Sequence, residues 1–216
     1  MQENIVYIYL LLMIIFMCLI QSKRIQEGLE DYNNVVLLGD SIFKNNQYVG
    51  NKDSVEYRLN NEIESIVLAE DNSFIKDILP QYKKMPDKLN EPNTYLFVSI
   101  GGNDLLDKYH YLQHDIENTK ELDNIWEEYK KTIFELKFKT NCTLVLTDLY
   151  YITDQEYVKY HKLIKKWNDY LDEFCEKEDI LIYKISNKLK KSTHFVNDIE
   201  PSKLGSEIIV DNIINF

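Results

Sequence analysis

Five short apolar runs alternate along this chain with longer amphipathic stretches, and that alternation restricts its fold more than any other feature. NVVLLG (34–39), SIVLA (65–69), TYLFVSIG (94–101), CTLVLTD (142–148) and DILIYKI (179–185) predict buried strands. Between them, FIKDILPQY (74–82) begins one helix. ELDNIWEEYKKTIFELKFK (121–139) and QEYVKYHKLIKKWNDYLDEFCEKE (155–178) carry apolar residues at spacings of three and four and predict two long ones. PSKLGSEIIVDNIINF (201–216) predicts a last helix, with Pro201 at its first position and Leu204, Ile208 and Ile213 along one face. Strands separated by helices imply an α/β fold with a mostly parallel sheet covered on both sides. The expected domain spans 34–216, with no repeat or low-complexity tract to interrupt it.

In such a sheet, sites form beyond the carboxyl ends of the strands. The chain has only six glycines, and three of them stand there: Gly39 after the first strand, Gly101 and Gly102 after the third. Glycine adopts backbone angles closed to other residues and lets a ligand approach the main chain. The neighbours of these glycines carry chemistry: Asp40 and Ser41 in LLGDSIF, Asn103 and Asp104 in SIGGNDLL. Ser41 alone reads either as a nucleophile or as the cap of a helix that follows.

The combination is more specific than its parts. Gly39-Asp40-Ser41, then Gly101-Gly102-Asn103-Asp104, then Pro201-Ser202 with Gly205 resemble the blocks of the SGNH (GDSL-type) hydrolase family, and LAEDNSFIKDIL (68–79) is similar to its second block. The resemblance implies a three-layer α/β/α fold with a five-stranded parallel sheet in flavodoxin-like order, and serine esterase chemistry on O-acyl or related esters. It assigns Ser41 as the nucleophile. The oxyanion donors would be the Ser41 backbone N–H, the Asn103 amide and the backbone N–H of Asn72, which stands where the family has glycine. Asn tolerates a left-handed backbone better than most residues. Gly39, Asp40, Gly101, Gly102, Asp104, Asn197 and Asp198 are expected to support these groups.

The last block departs from the family, which has Asp-x-x-His before the proline. This chain has Asn197-Asp198-Ile199-Glu200, so Glu200 occupies the base's position and Asn197 that of the orienting acid. Without an imidazole to orient, the second carboxylate has no task. A glutamate matches a serine hydroxyl near neutral pH only if burial raises its pKa. His194 is the alternative base. His110 and His114 also fall near the carboxyl edge, whereas His161 lies within a predicted helix and is read as structural. The rival to an active esterase is an inactive domain of the same fold that binds without turnover.

Composition narrows the partners. A formal net charge of -11 excludes a general nucleic-acid binder, since no basic field would attract phosphates. No P-loop or G-x-G-x-x-G occurs, and Cys18, Cys142 and Cys175 lack metal-like spacing, so no cofactor or metal is expected. IVYIYLLLMIIFMCLI (5–20) is apolar without a break, and its acidic start lacks the features of a cleaved signal. It predicts a membrane anchor over 1–24, a linker over 25–33, and a weak bias of the domain to the cytoplasmic side from Lys23 and Arg24. The family resemblance implies an ester-bearing small molecule, a lipid or an acylated glycan as substrate.

Overall fold

Each of the five apolar runs forms a strand in the computed structural model: β1 (Asn34–Gly39), β2 (Glu64–Val67), β3 (Thr94–Ser99), β4 (Thr143–Thr147) and β5 (Leu181–Tyr183). All pair in parallel, in the order β2-β1-β3-β4-β5, which is the flavodoxin-like arrangement. The structure describes residues 34–111, 120–197 and 199–216. The expected anchor (1–24) and linker (25–33), His114 and Asp198 lie outside the described residues. Among those that are described, no helix is long and apolar enough to cross a membrane.

The helices are α1 (Asn46–Val49), α2 (Val55–Glu62), α3 (Ile78–Tyr82), α4 (Gly102–Tyr111), α5 (Lys120–Lys139), α6 (His161–Glu178) and α7 (Lys203–Ile214). The two-residue strands β6 (Phe195–Val196) and β7 (Glu200–Pro201) form a separate antiparallel hairpin. Alternate strand residues face opposite layers. Val36, Leu38, Leu96, Val98, Leu144 and Leu146 join a core with α5 and α6, which add Trp126, Tyr129, Leu163 and Trp167. Val35, Leu37, Phe97, Val145 and Tyr183 join a second core with Val55 and Leu59 of α2 and Ile209, Val210 and Ile213 of α7. The central strands are therefore apolar on both faces, which is why they read as continuous runs rather than alternating ones. Cys142 and Cys175 are separate buried thiols.

Three local expectations are corrected. Pro201 does not open the last helix: it ends β7, and Ser202 caps α7 by accepting the Gly205 N–H at 3.2 Å. The buried face of α7 runs through Gly205, Ile209 and Ile213, while Leu204 stays exposed. The choice falls to Gly205, where an added Cβ would stand 2.3 Å from the His194 carbonyl oxygen, so only this side of the helix can dock so closely. The helix expected over 155–178 begins at His161; before it, Asp154 accepts the Glu156 N–H at 2.8 Å and turns the chain. Helix α2 was not expected: it is short, and a polar stretch precedes it.

Candidate active site

At the end of β1 the chain makes one tight turn. Asp40 accepts the N–H groups of Phe43 (3.2 Å) and Lys44 (3.1 Å) at its carbonyl, and that of Ile42 (3.1 Å) at its side chain. No helix opens here: Asp40 closes a turn over residues 41–43, and α1 begins only at Asn46. The Ser41 hydroxyl makes no cap bond, and its backbone N–H makes no hydrogen bond among the described residues. Gly39 lets the turn begin: its φ is +140°, and an added Cβ would stand 2.0 Å from the Ser99 carbonyl oxygen on β3. The buried Gln81 completes the support. Its amide accepts the Gly39 N–H (2.8 Å) and donates to the Gly39 carbonyl (2.8 Å) and to the Ser73 hydroxyl (2.9 Å).

At the end of β3, Gly101 has φ +113°, and a Cβ there would meet the Trp167 ring at 2.4 Å. Gly102 and Asn103 are not loop residues but open α4, so the positive end of the helix dipole faces the site. Asn103 donates one amide hydrogen to the Ser73 carbonyl at 2.9 Å. Asp104 accepts the Ile75 N–H (3.1 Å to its nearer oxygen) and ties down the segment that carries Asn72. Asn72 has φ +57°, the left-handed backbone expected of it, and its N–H makes no hydrogen bond among the described residues. Its exposed side chain turns to Asp71 (2.6 Å).

These turns meet at one pocket. Asp40, Ser41, Gly102, Asn103 and Glu200 line its polar end, and Ile42, Leu105, Leu149, Tyr150, Leu163 and Ile199 are among the residues of its apolar wall. Its cavity volume is about 70 Å³, several times the roughly 10–15 Å³ that one water needs. Glu200 is buried, and its Oε2 has no hydrogen-bond partner. Burial pushes its pKa up to about 7, helped by the negative charge of Asp71 and opposed by the Ser41 hydroxyl, which lies beside the carboxylate and favours its charged form. Asp40 is the second carboxyl of the pocket. Burial, and then the charges of Glu200 and Asp104, raise its pKa to about 8 against the stabilising Ile42 N–H. Asp104 is raised to about 6, again chiefly by burial.

The hairpin β6–β7 carries the position expected for the orienting acid. Asn197 sits at its turn with φ +48°, exposed, and its carbonyl accepts the Ile199 N–H at 2.8 Å. The residue at that position shapes a turn rather than holding a base. His194 is buried, its Nδ1 accepts the Lys190 N–H at 3.2 Å, and it does not line the pocket. Burial, with Lys191 nearby, lowers its pKa. His161 contacts the Ile152 carbonyl at 2.7 Å.

The structure thus gathers Ser41, Asn103, Glu200, Asp40 and Gly102 around one cavity. Gly39, Gly101 and Asp104 stand behind them, and Asn72, Asn197 and His194 are outside the lining. Sequence reasoning missed Gln81, Asn45, Tyr150 and Asn168. The last pairs with the main chain of Leu149 in the pocket wall, at 2.9 and 2.7 Å. A buried amide that serves a distant main chain leaves no mark in the periodicity or local spacing of a sequence.

Comparison with known proteins agrees with this fold. The sequence family described as GDSL-like Lipase/Acylhydrolase matches residues 35–211. Comparison with curated protein sequences gives no match. Among solved structures, the chain is similar to a lipolytic protein of the G-D-S-L family from Veillonella parvula (14% identity, 84% of this chain and 96% of that one, TM-score 0.63). It is also similar to an acetylxylan esterase from Geobacillus stearothermophilus (14% identity, 85% and 93%, TM-score 0.60). A third is phospholipase A1 from Streptomyces albidoflavus (14% identity, 84% and 99%, TM-score 0.60). At these identities the likeness speaks for the fold.

Proposed function

Because this chain belongs to the GDSL-like lipase/acylhydrolase family, we propose that it hydrolyses carboxylic esters through Ser41, with Glu200 as general base in place of a histidine. The observation that carries this reading is that Ser41 and the buried Glu200 carboxylate line one pocket, close enough for the hydroxyl to influence the carboxylate, whose Oε2 has no hydrogen-bond partner. Ser41 Oγ attacks the ester carbonyl carbon as its proton passes to Glu200. The oxyanion that forms takes hydrogen bonds from the free Ser41 N–H and the Asn103 amide, with the Asn72 N–H as the third donor. Protonated Glu200 then returns its proton to the departing alkoxide, leaving an acyl-enzyme at Ser41 and a free alcohol. Water, deprotonated by Glu200, releases the acid and restores the serine. The neutral, apolar wall of the pocket suits an apolar acyl arm, and the alcohol side leaves toward solvent. The structural relatives named above, an acetylxylan esterase and a phospholipase, span the acylated-glycan and lipid classes of alcohol.

The test is covalent. A fluorophosphonate should label the full chain at Ser41, and Ser41→Ala should abolish the labelling while leaving the fold intact by circular dichroism. Absence of labelling at every pH between 5 and 9 would leave a domain that binds esters without turning them over. The apolar run at 5–20 supports the further reading that the domain is tethered to a membrane. The full chain should then sediment with membranes through a carbonate wash, and a chain starting at residue 25 should not. Sedimentation of both would refute the tether.

A further inference from the structure

Glu200 can act on Ser41 only if two segments far apart in sequence hold a fixed separation, and one side chain spans them. The turn that carries Ser41 closes at Lys44, and the next residue is Asn45, which is fully buried. Its amide nitrogen donates to the carbonyl of Pro201 (3.0 Å), the residue after Glu200, and to the Ser206 hydroxyl on α7 (2.7 Å). Its amide oxygen accepts the Val55 N–H at the start of α2 (3.0 Å). The Ser206 hydroxyl in turn donates to the Ser202 carbonyl at 3.0 Å. Both amide hydrogens and the oxygen are thus committed, a pattern that aspartate cannot make and alanine loses entirely. On the other side of Glu200, the Tyr150 hydroxyl donates to the Ile199 carbonyl. The residues before and after Glu200 are therefore each held by a side chain, and of the two only Asn45 directly follows the nucleophile's own turn.

We infer that Asn45 is the positioning residue that keeps the Glu200 carboxylate on the Ser41 hydroxyl, an assignment that rests on Glu200 being the base. It touches neither substrate nor reacting atoms; it acts by setting the distance between two groups that do. A displacement of about 1 Å in such a pair costs on the order of 100-fold in rate.

The experiment is a double-mutant cycle read by the rate of fluorophosphonate labelling and by ester turnover in the full chain. Asn45→Ala should lower kcat and the labelling rate by about 10- to 100-fold with KM changed less than twofold. In a Glu200→Gln background the same substitution should change labelling by less than about twofold, because the interaction it supports is already gone. Asn45→Asp keeps the volume and the acceptor for Val55 but loses both donations; it should follow Asn45→Ala and decides the matter if the alanine protein does not fold. Equal losses in the two backgrounds, or a folded Asn45 variant with wild-type kcat, would overturn the inference while leaving Glu200 as base. Wild-type labelling in Glu200→Gln alone would overturn the base, and Asn45's role with it.

Discussion

Glu200→Gln should slow ester turnover above pH 8 by roughly 100- to 10,000-fold, the usual contribution of a general base. The glutamine keeps the volume and a hydrogen-bond acceptor but cannot take the serine proton. In the parent protein turnover should rise with pH, reach half its plateau near the Glu200 pKa of about 7, and stand roughly 100-fold below plateau at pH 5. The limb should vanish in Glu200→Gln, leaving a slow, pH-flat remainder from the oxyanion donors. A limb that survives the substitution unchanged would assign the base elsewhere.

The same carboxyls tie stability to pH with the opposite slope. Asp104, Glu200 and Asp40 have folded pKa values of about 6, 7 and 8, all above the ordinary carboxylate range and all raised chiefly by burial. Between the ordinary range and these values the folded chain holds protons that the unfolded chain releases. Unfolding free energy therefore declines as pH rises through that window. Their contribution is complete below about pH 4 and lost as pH rises past about 8, where Asp40 titrates last. Thermal unfolding midpoints should accordingly fall between pH 5 and pH 8 where activity climbs, and Glu200→Gln should flatten part of that fall. The site charges itself to work.

Gly39→Ala should be the most damaging small substitution in the sheet. The new methyl would stand 2.0 Å from the Ser99 carbonyl oxygen and 2.9 Å from its carbon, both main-chain atoms of the central strand, at a φ of +140°. Neither neighbour can swing away without breaking the β1–β3 pairing, which holds Gly39 opposite Ser99. Overpacking and left-handed strain each cost about 1–3 kcal/mol, so a loss of roughly 2–6 kcal/mol is expected against typical stabilities of about 5–15 kcal/mol. Gly50→Ala is the internal comparison. Its φ is +81° but nothing lies within 4 Å of the added carbon, so it should lose only the backbone part. Urea unfolding of the two variants measures the difference; equal losses would show that contact with Ser99 is not what demands glycine at position 39.

How much of this was legible beforehand differs by element. The strands were readable because burial on both faces leaves little choice but continuous apolar residues, and each run appears within two residues at either end. The last helix misled because Leu204, Ile208, Ile209, Val210, Ile213 and Ile214 surround it with apolar residues, and periodicity cannot choose a face where most faces qualify. Gly205 against the His194 carbonyl makes that choice. Ser41 was ambiguous between cap and nucleophile because both roles suit a serine after a strand. The structure separates them: the residues after Ser41 form a turn held by Asp40, with no helix there for a serine to cap.

By itself, the sequence determined the parallel α/β layering and the strands whose carboxyl ends build the site, and it singled out Ser41, Asn103 and Glu200, which the fold brings to one pocket. Those properties depend on local composition and on blocks of neighbouring residues. Only the tertiary structure decided what Glu200 is chemically. An isolated glutamate is a weak base with a pKa near 4.3. This one is shifted to about 7 because the fold buries it in an apolar pocket, leaves one oxygen without a partner, and places Asp71 within range of its charge. Burial and charge act through neighbours in space, and those neighbours come from the turn after β1, the loop after β2 that carries Asp71, α4, α6 and the segment after β4, which the chain brings together only when folded.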